Sequence, residues 1–166
     1  MKIKKLILES VLKDLGVLAG TTALGAGAGY LTGEYGIPDE VVNPENNPLI
    51  NNDEIRAQMS EVLAKMGGAT GAALGTAGLA VKNTYNSVAG AQNSEAAQSA
   101  AMLGIPASGL AGAVAGAATG TMIPTVELMT GNDFGIDIDP VTAAEIGGAA
   151  GLAAGTGAAI TGARKK

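Results

Sequence analysis

A chain of 166 residues is long enough for one ordinary domain, yet only 2% of it is aromatic, Trp is absent, and Ala dominates the 47% that counts as hydrophobic. With neither Cys nor His, disulfide frameworks, thiol nucleophiles and the commonest general base and zinc ligand are excluded, and with them most hydrolases and metalloenzymes. A net charge of −5 argues against broad nucleic-acid binding, and the 26 glycines, each costing a helix about 1 kcal/mol relative to Ala, demand a compensating reason.

Residues 1–15 read as an amphipathic N-terminal helix, with Ile3, Leu6, Ile7, Val11 and Leu15 on one side and Lys4, Lys5, Glu9 and Lys13 toward the other. The start MKIKKL and the small residues around Ala26 to Ala28 have the outline of a signal peptide. Glu9, Lys13 and Asp14 interrupt the apolar stretch such a peptide needs, so the segment is expected to be retained. A charge-free run from Leu15 to Gly33 follows, then a loop whose Pro38, Pro44, Pro48 and many Asn are turn chemistry. Asp53 is expected to cap the next helix, which carries Ile55, Met59, Val62, Leu63 and Met66 into a second uncharged run, Met66 to Val81. Residues 16–82 thus form a first hairpin with an acidic Asn/Pro loop.

Residues 83–105 turn polar around Asn83, Tyr85, Asn86 and Asn93, and a short Ala/Gln helix from Ser94 to Leu103 is expected to stop at Gly104 and Pro106. A second hairpin occupies 106–166. Pro106 can open its first helix, which runs through Ala107 to Ile123 and ends or kinks at Pro124. An acidic loop from Glu127 to Glu145 leads into the last run, Ile146 to Ala163, and a basic tail of Arg164, Lys165 and Lys166. No strand-like runs of Val, Ile and Thr occur. The expected class is all-α: four Gly/Ala-rich helices as two helical hairpins, plus the N-terminal amphipathic helix and the short connecting helix.

Within the four uncharged runs Gly recurs at every fourth position: Gly25, Gly29 and Gly33; Gly67, Gly71 and Gly75; Gly112, Gly116 and Gly120; Gly147, Gly151 and Gly155. A spacing of four lines the residues along one helix face and lets a second backbone come close, the small-xxx-small pattern commonest between membrane helices. These glycines are the expected helix-packing residues. The first glycines of the runs are spaced too unevenly for a solenoid repeat.

Charge placement tests the membrane reading independently. The first loop carries Glu34, Asp39, Glu40, Glu45, Asp53, Glu54 and Glu61 against Arg56 and Lys65, and the third carries Glu127, Asp133, Asp137, Asp139 and Glu145 with no base. The two ends hold Lys2, Lys4, Lys5, Lys13 and Arg164, Lys165, Lys166. Four spans with both termini on the cytoplasmic-equivalent side put the basic ends inside and the acidic loops outside, and Tyr30, Tyr35 and Tyr85 fall near run ends where headgroups would lie. Length and hydrophobicity work against single insertion. Ile146 to Ala163 reaches about 27 Å as a helix and Met66 to Val81 about 24 Å, against a hydrocarbon core of about 30 Å. Insertion as preformed hairpins or as an oligomer is the easier route, while Ala/Gly helices packed against partner subunits in a large soluble assembly are the alternative.

Chemistry-bearing motifs are sparse. Asp133, Asp137 and Asp139 cluster on a glycine-containing loop and form the one calcium candidate, but the EF-hand order of glycine and distal glutamate fails, which favours a solvated acidic loop. Gly25, Gly27 and Gly29 follow no strand and do not meet the G-x-G-x-x-G spacing of a nucleotide loop. Gln92, Glu95 and Gln98 could line a polar constriction or a subunit contact, with surface exposure the favoured reading. No catalytic residue, cofactor or metal is assigned. The Lys2 to Lys5 and Arg164 to Lys166 clusters could touch anionic headgroups.

The segments GAGAGYLTG, GATGAALG, GAVAGAATG and GAAGLAAG resemble glycine-zipper membrane segments of bacterial and phage proteins. Together with AGAQNSEAAQSAAMLG, they give the chain a likeness to small internal virion proteins that tailed phages eject to build a channel through the host envelope, or to membrane proteins of lipid-containing phages. The resemblance implies oligomerisation, a role in genome delivery and no catalysis. Its partners would be the lipid bilayer and itself or other virion subunits, with no specific nucleic-acid binding, and its location the membrane or the virion. A holin-like lesion former and a soluble structural subunit inside a virion are the alternatives.

Overall fold

A computed structural model describes residues 2–45 and 51–165, apart from the side chains of 2–8 and 10. The expected apolar side of Ile3, Leu6 and Ile7, the Lys2 to Lys5 cluster, Pro48 and Lys166 therefore lie outside the described residues or side chains. All regular structure among the described residues is helical: α1 (Lys2–Tyr35), α2 (Asp39–Val42), α3 (Asn52–Ala89), α4 (Ser94–Thr130) and α5 (Pro140–Ala163).

Two expected boundaries are not present. The N-terminal helix does not end at Leu15 but continues as α1 to Tyr35. No proline interrupts the stretch around Gly16, so the backbone ladder can run on, and the hydroxyl of Thr21 is satisfied within the same helix by the carbonyls of Val17 (3.0 Å) and Leu18 (3.1 Å). Nor does a separate connecting helix stop at Gly104 and Pro106, because α4 passes both, and Pro124 as well. Each proline removes one N–H from a helix of 37 residues, and Gly104 serves as a contact: a Cβ there would lie 2.7 Å from Cγ2 of Thr84.

Helix ends follow local chemistry. α1 closes with the N–H of Gly36 on the carbonyl of Thr32 (2.8 Å), followed by Pro38. Asp53 lies in the first turn of α3 rather than at its cap, since the carbonyl of Asn51 already accepts from the N–H of Ile55 (3.2 Å). Asn93 opens α4 by accepting from the N–H of Ala96 (2.8 Å). Gly131, in the left-handed region at φ 68°, ends α4 with its N–H on the carbonyl of Glu127 (2.9 Å). Asp139 caps α5 through Val141 N–H (2.8 Å) and Thr142 N–H (3.0 Å), with Pro140 in the first turn. The acidic loop is thus shorter than the sequence implied, and Glu145 lies on α5.

The chain forms two compact units, Met1–Ala72 with Thr121–Ile138, and Ala73–Gly120 with Asp139–Lys166. The division cuts α3 and α4 internally rather than falling in 83–105, because the end of α4 belongs with the side chains of the first unit. Ile37, Val42 and Leu63 form a buried cluster there, with Val41, Ile55, Met59, Val126 and Met129 packed against it. Each such buried aliphatic contributes about 1.5–3 kcal/mol. Arg56 closes the same unit: its guanidinium donates to the carbonyls of Ile37 (2.5 Å) and Glu34 (3.4 Å) and pairs with Asp39 (2.6 Å). A cation at the C-terminal end of α1 also complements the helix dipole.

In the second unit the wholly or nearly buried apolar side chains are few, namely Leu79, Val88, Ala115 and Ala159. Large aliphatics of α4 and α5 face outward, with Leu110 72% exposed, Val114 61% and Ile146 56%, as do Leu12, Leu24 and Leu31 of α1. Helices α4 and α5 are long and apolar enough to cross a membrane. Among the described residues α1 and α3 are not, which reduces the expected four spans to two candidates. The uncharged run of α3 is short between Lys65 and Lys82, and α1 carries Lys13, Asp14 and several Thr.

Candidate functional site: glycine-lined helix contacts

Helical glycine leaves a bare strip of backbone, and what faces that strip decides its role. In the first unit, a Cβ on Gly25 would strike the carbonyl of Gly67, one on Gly29 the carbonyl of Leu63, and one on Gly71 the carbonyl of Thr21. Gly33 meets the side chain of Ser60, whose hydroxyl is held by the carbonyl of Arg56 (2.8 Å). Rising numbers on α1 meet falling numbers on α3, so the two segments run antiparallel. Gly67 returns the contact against the carbonyl of Gly25, and Gly75 is buried farther along α3.

The second unit repeats the arrangement between α4 and α5. Gly112 and Gly147 each face the other's carbonyl, and a Cβ on either would also lie 3.0 Å from a glycine Cα, that of Gly151 or of Gly116. Gly116 faces the carbonyl of Ala143, Gly151 that of Ser108, and Gly120 the Cα of Pro140 (3.0 Å from an added Cβ). Gly155 meets Cβ of Ser108 at 2.8 Å. At such approach Cα–H groups point at carbonyls across the contact, each worth about 0.5–1 kcal/mol, and dispersion acts along the whole strip.

Several helical glycines outside the fourfold pattern fall at two extremes. Gly16, Gly20, Gly27, Gly78 and Gly157 have nothing within 4 Å of an added Cβ. Gly104, Gly109 and Gly162 are tight contacts that the triplet pattern missed, against Thr84, Leu152 and the backbone of Tyr85 respectively. Counting Ser and Ala as small residues would have found part of this: Gly104, Ser108, Gly112, Gly116 and Gly120 keep the spacing of four, as do Gly147, Gly151, Gly155 and Ala159.

Buried hydroxyls accompany these contacts. Thr84 and Ser108 share a hydrogen bond of 3.2 Å between α3 and α4, while each also donates back to its own helix, to the carbonyls of Ala80 and Gly104 (both 2.9 Å). With two hydroxyls only one can give its proton to the other at a time, so the donors are shared. No buried side-chain polar atom among the described residues lacks a partner. An open groove beside this pair is lined by Asn83, Ser87, Ala100, Leu103 and Ala107.

No group of three or more metal-ligating side chains converges among the described residues. Of the calcium candidates, Asp133 holds the N–H of Gly135 (2.7 Å) in a tight turn, Asp139 caps α5, and Asp137 is exposed. Hydrogen bonds from Thr142, first from its hydroxyl and then its N–H, hold the Asp139 carboxyl below the usual aspartate range. Gln92, Glu95 and Gln98 are exposed. At the other end of α5, the Lys165 ammonium stands 5.6 Å from the centre of the Tyr85 ring, and its hydrogen bond to Tyr85 raises its pKa. This arrangement can bring helices together at backbone distance. No family model matches the chain, and no curated protein or solved structure matches it.

Proposed function

We propose that the protein is a non-enzymatic, membrane-inserting component of a phage virion, internal or membrane-associated, whose glycine-zipper helices pack as two hairpins and assemble in a bilayer to support genome delivery. The observation that carries the membrane part is the outward apolar surface of α4 and α5, whose most apolar windows are only 22% and 17% buried. A core helix of a water-soluble domain buries its apolar side chains. Here the buried strip is glycine backbone and the aliphatics face away, the arrangement expected where lipid is the solvent and close backbone packing drives association. With α4 and α5 as the spans, both termini and the first acidic loop would share the cytoplasmic-equivalent side, and the loop between α4 and α5 would lie opposite. The virion part rests on the resemblance of the glycine-rich segments and is carried by analogy.

The test is reconstitution of the full chain with lipid vesicles, comparing wild type with Gly112→Leu/Gly116→Leu. Wild type is expected to resist carbonate extraction, to leave the 131–139 loop open to protease on the face opposite both termini and the first acidic loop, and to release an entrapped dye. The double variant is expected to lose oligomers and dye release. A wild-type chain that stays soluble without detergent and ignores vesicles would overturn the reading in favour of a soluble virion subunit. Abrupt lysis of cells on expression alone would favour a holin-like lesion former.

A further inference from the structure

We infer that the end of the second unit formed by Tyr85, Arg164 and Lys165 is a headgroup site for anionic phospholipid, an inference that rests on the membrane reading above. The site is held in place from the backbone outward. Gly162 packs so closely on the last turns of α3 that an added Cβ would lie 2.9 Å from the carbonyl of Tyr85 and 3.2 Å from the nitrogen of Ala89. That contact seats the end of α5 beside Tyr85. The N–H of Arg164 then bonds the carbonyl of Ile160 (3.1 Å) and that of Lys165 the carbonyl of Gly162 (3.3 Å), so the cations follow a capped helix end instead of a free tail.

Three features of this end suit a lipid phosphate. First, the cations lie immediately past the apolar exposed surface of α5, where a span meets headgroups. Second, Lys165 lies over the Tyr85 ring, which pairs an amphipathic aromatic with a cation at one level. Third, α5 is electrically polar along its length: Asp139 and Glu145 mark its start, and Arg164 and Lys165 follow its end, about 36 Å away. A planar guanidinium can take two phosphate oxygens while the ammonium supplies further donors. Lys82, exposed one turn before Tyr85, adds positive charge, and Glu95 in the first turn of α4 is the acidic side chain next along the chain from this end.

Flotation of the full chain with phosphatidylcholine vesicles, and with vesicles containing phosphatidylglycerol, tests the site. Wild type is expected to bind the anionic vesicles more tightly, and Arg164→Gln/Lys165→Gln to lose roughly 30-fold of that preference, about 1 kcal/mol per charge, while keeping its binding to phosphatidylcholine. Lys65→Gln, the same change of net charge as either single substitution Arg164→Gln or Lys165→Gln but at a lysine paired with Glu61 (2.6 Å), is expected to leave the preference largely intact. Tyr85→Ala should weaken it and Tyr85→Phe should retain most of it. An equal loss in Lys65→Gln, or an unchanged preference in the double variant, overturns the site. Displacement from anionic vesicles by inorganic phosphate at matched ionic strength would assign the cations to a soluble anion instead. If wild type binds both vesicles equally, this inference fails alone; if it binds neither, the membrane reading fails with it.

Discussion

The two units use the same backbone-to-backbone contact but differ in what surrounds it. In the first, α1 and α3 meet through Gly25, Gly29, Gly67 and Gly71, and beside them Leu63, Ile37 and Val42 build a side-chain cluster that Arg56 ties to the end of α1. In the second, α4 and α5 meet through Gly112, Gly116, Gly147 and Gly151, with a pair of hydroxyls nearby and the large aliphatics turned outward. A glycine contact therefore brings helices together without fixing what else they bury. Both units also turn large aliphatics outward, Leu24 and Leu31 of α1 as well as Leu110 and Val114 of α4, so the difference lies in the side-chain cluster that the first unit adds beside its contact.

The comparison breaks most visibly under bulk. Gly112→Leu/Gly116→Leu places side chains where the carbonyls of Gly147 and Ala143 lie, and no rotamer relieves a collision with backbone. Amide exchange across 140–155 should accelerate by orders of magnitude, whereas the matched Gly25→Leu/Gly29→Leu should leave protection around Met59 and Met129, on the far side of the cluster from the carbonyls of Gly67 and Leu63, partly in place. Equal collapse of both units would erase the distinction. Arg56→Ala comes next: it strips the carbonyls of Glu34 and Ile37 and the carboxylate of Asp39 of a part-buried cation, and should lower the stability of the first unit by about 2–3 kcal/mol in a denaturant titration. The second unit should not respond.

A smaller effect is pH-dependent and belongs to the second unit. The Asp139 carboxyl titrates below its ordinary value because Thr142 and Val141 donate to its charged form. Its contribution is present above the unfolded pKa and is lost as pH falls through the lowered folded value, so exchange at the start of α5 should speed up only in strong acid. Asp139→Asn, which keeps an acceptor, should flatten that dependence. Smallest is Gly157→Ala, at a position with nothing within 4 Å. It should stabilise α5 by up to about 1 kcal/mol in helicity measurements, opposite in sign to a change at Gly151.

Much of the architecture is legible in the residues, and the gaps have physical causes. Absence of β-branched runs identifies an all-helical chain, and fourfold glycine spacing points to residues that the fold places backbone to backbone. Helix ends are less legible. Pro106 and Pro124 read as stops because proline lacks a donor, but one missing bond is minor in a helix as long as α4, and packing on Gly104 holds the chain there. Ser60 and Ser108 were missed because polarity hid their size: each returns its proton to its own helix and so presents a small surface to its neighbour. The role of Arg56 depends on residues about twenty positions away, which no local pattern encodes.

A strip made of repeating small residues has little to say about register. Moving α5 past α4 by one turn would again set glycine against glycine, so the rail itself offers nearly equivalent stops about 6 Å apart. The stop that is used is marked by one bulky side chain. Leu152 lies over Gly109, where an added Cβ would come within 2.6 Å of it, and the position one turn along α4 is Ala113, whose methyl would occupy that space. A single leucine over a single glycine thus acts as the detent of a sliding joint, and exchanging their partner positions, Gly109→Ala with Ala113→Gly, would move the detent by one turn.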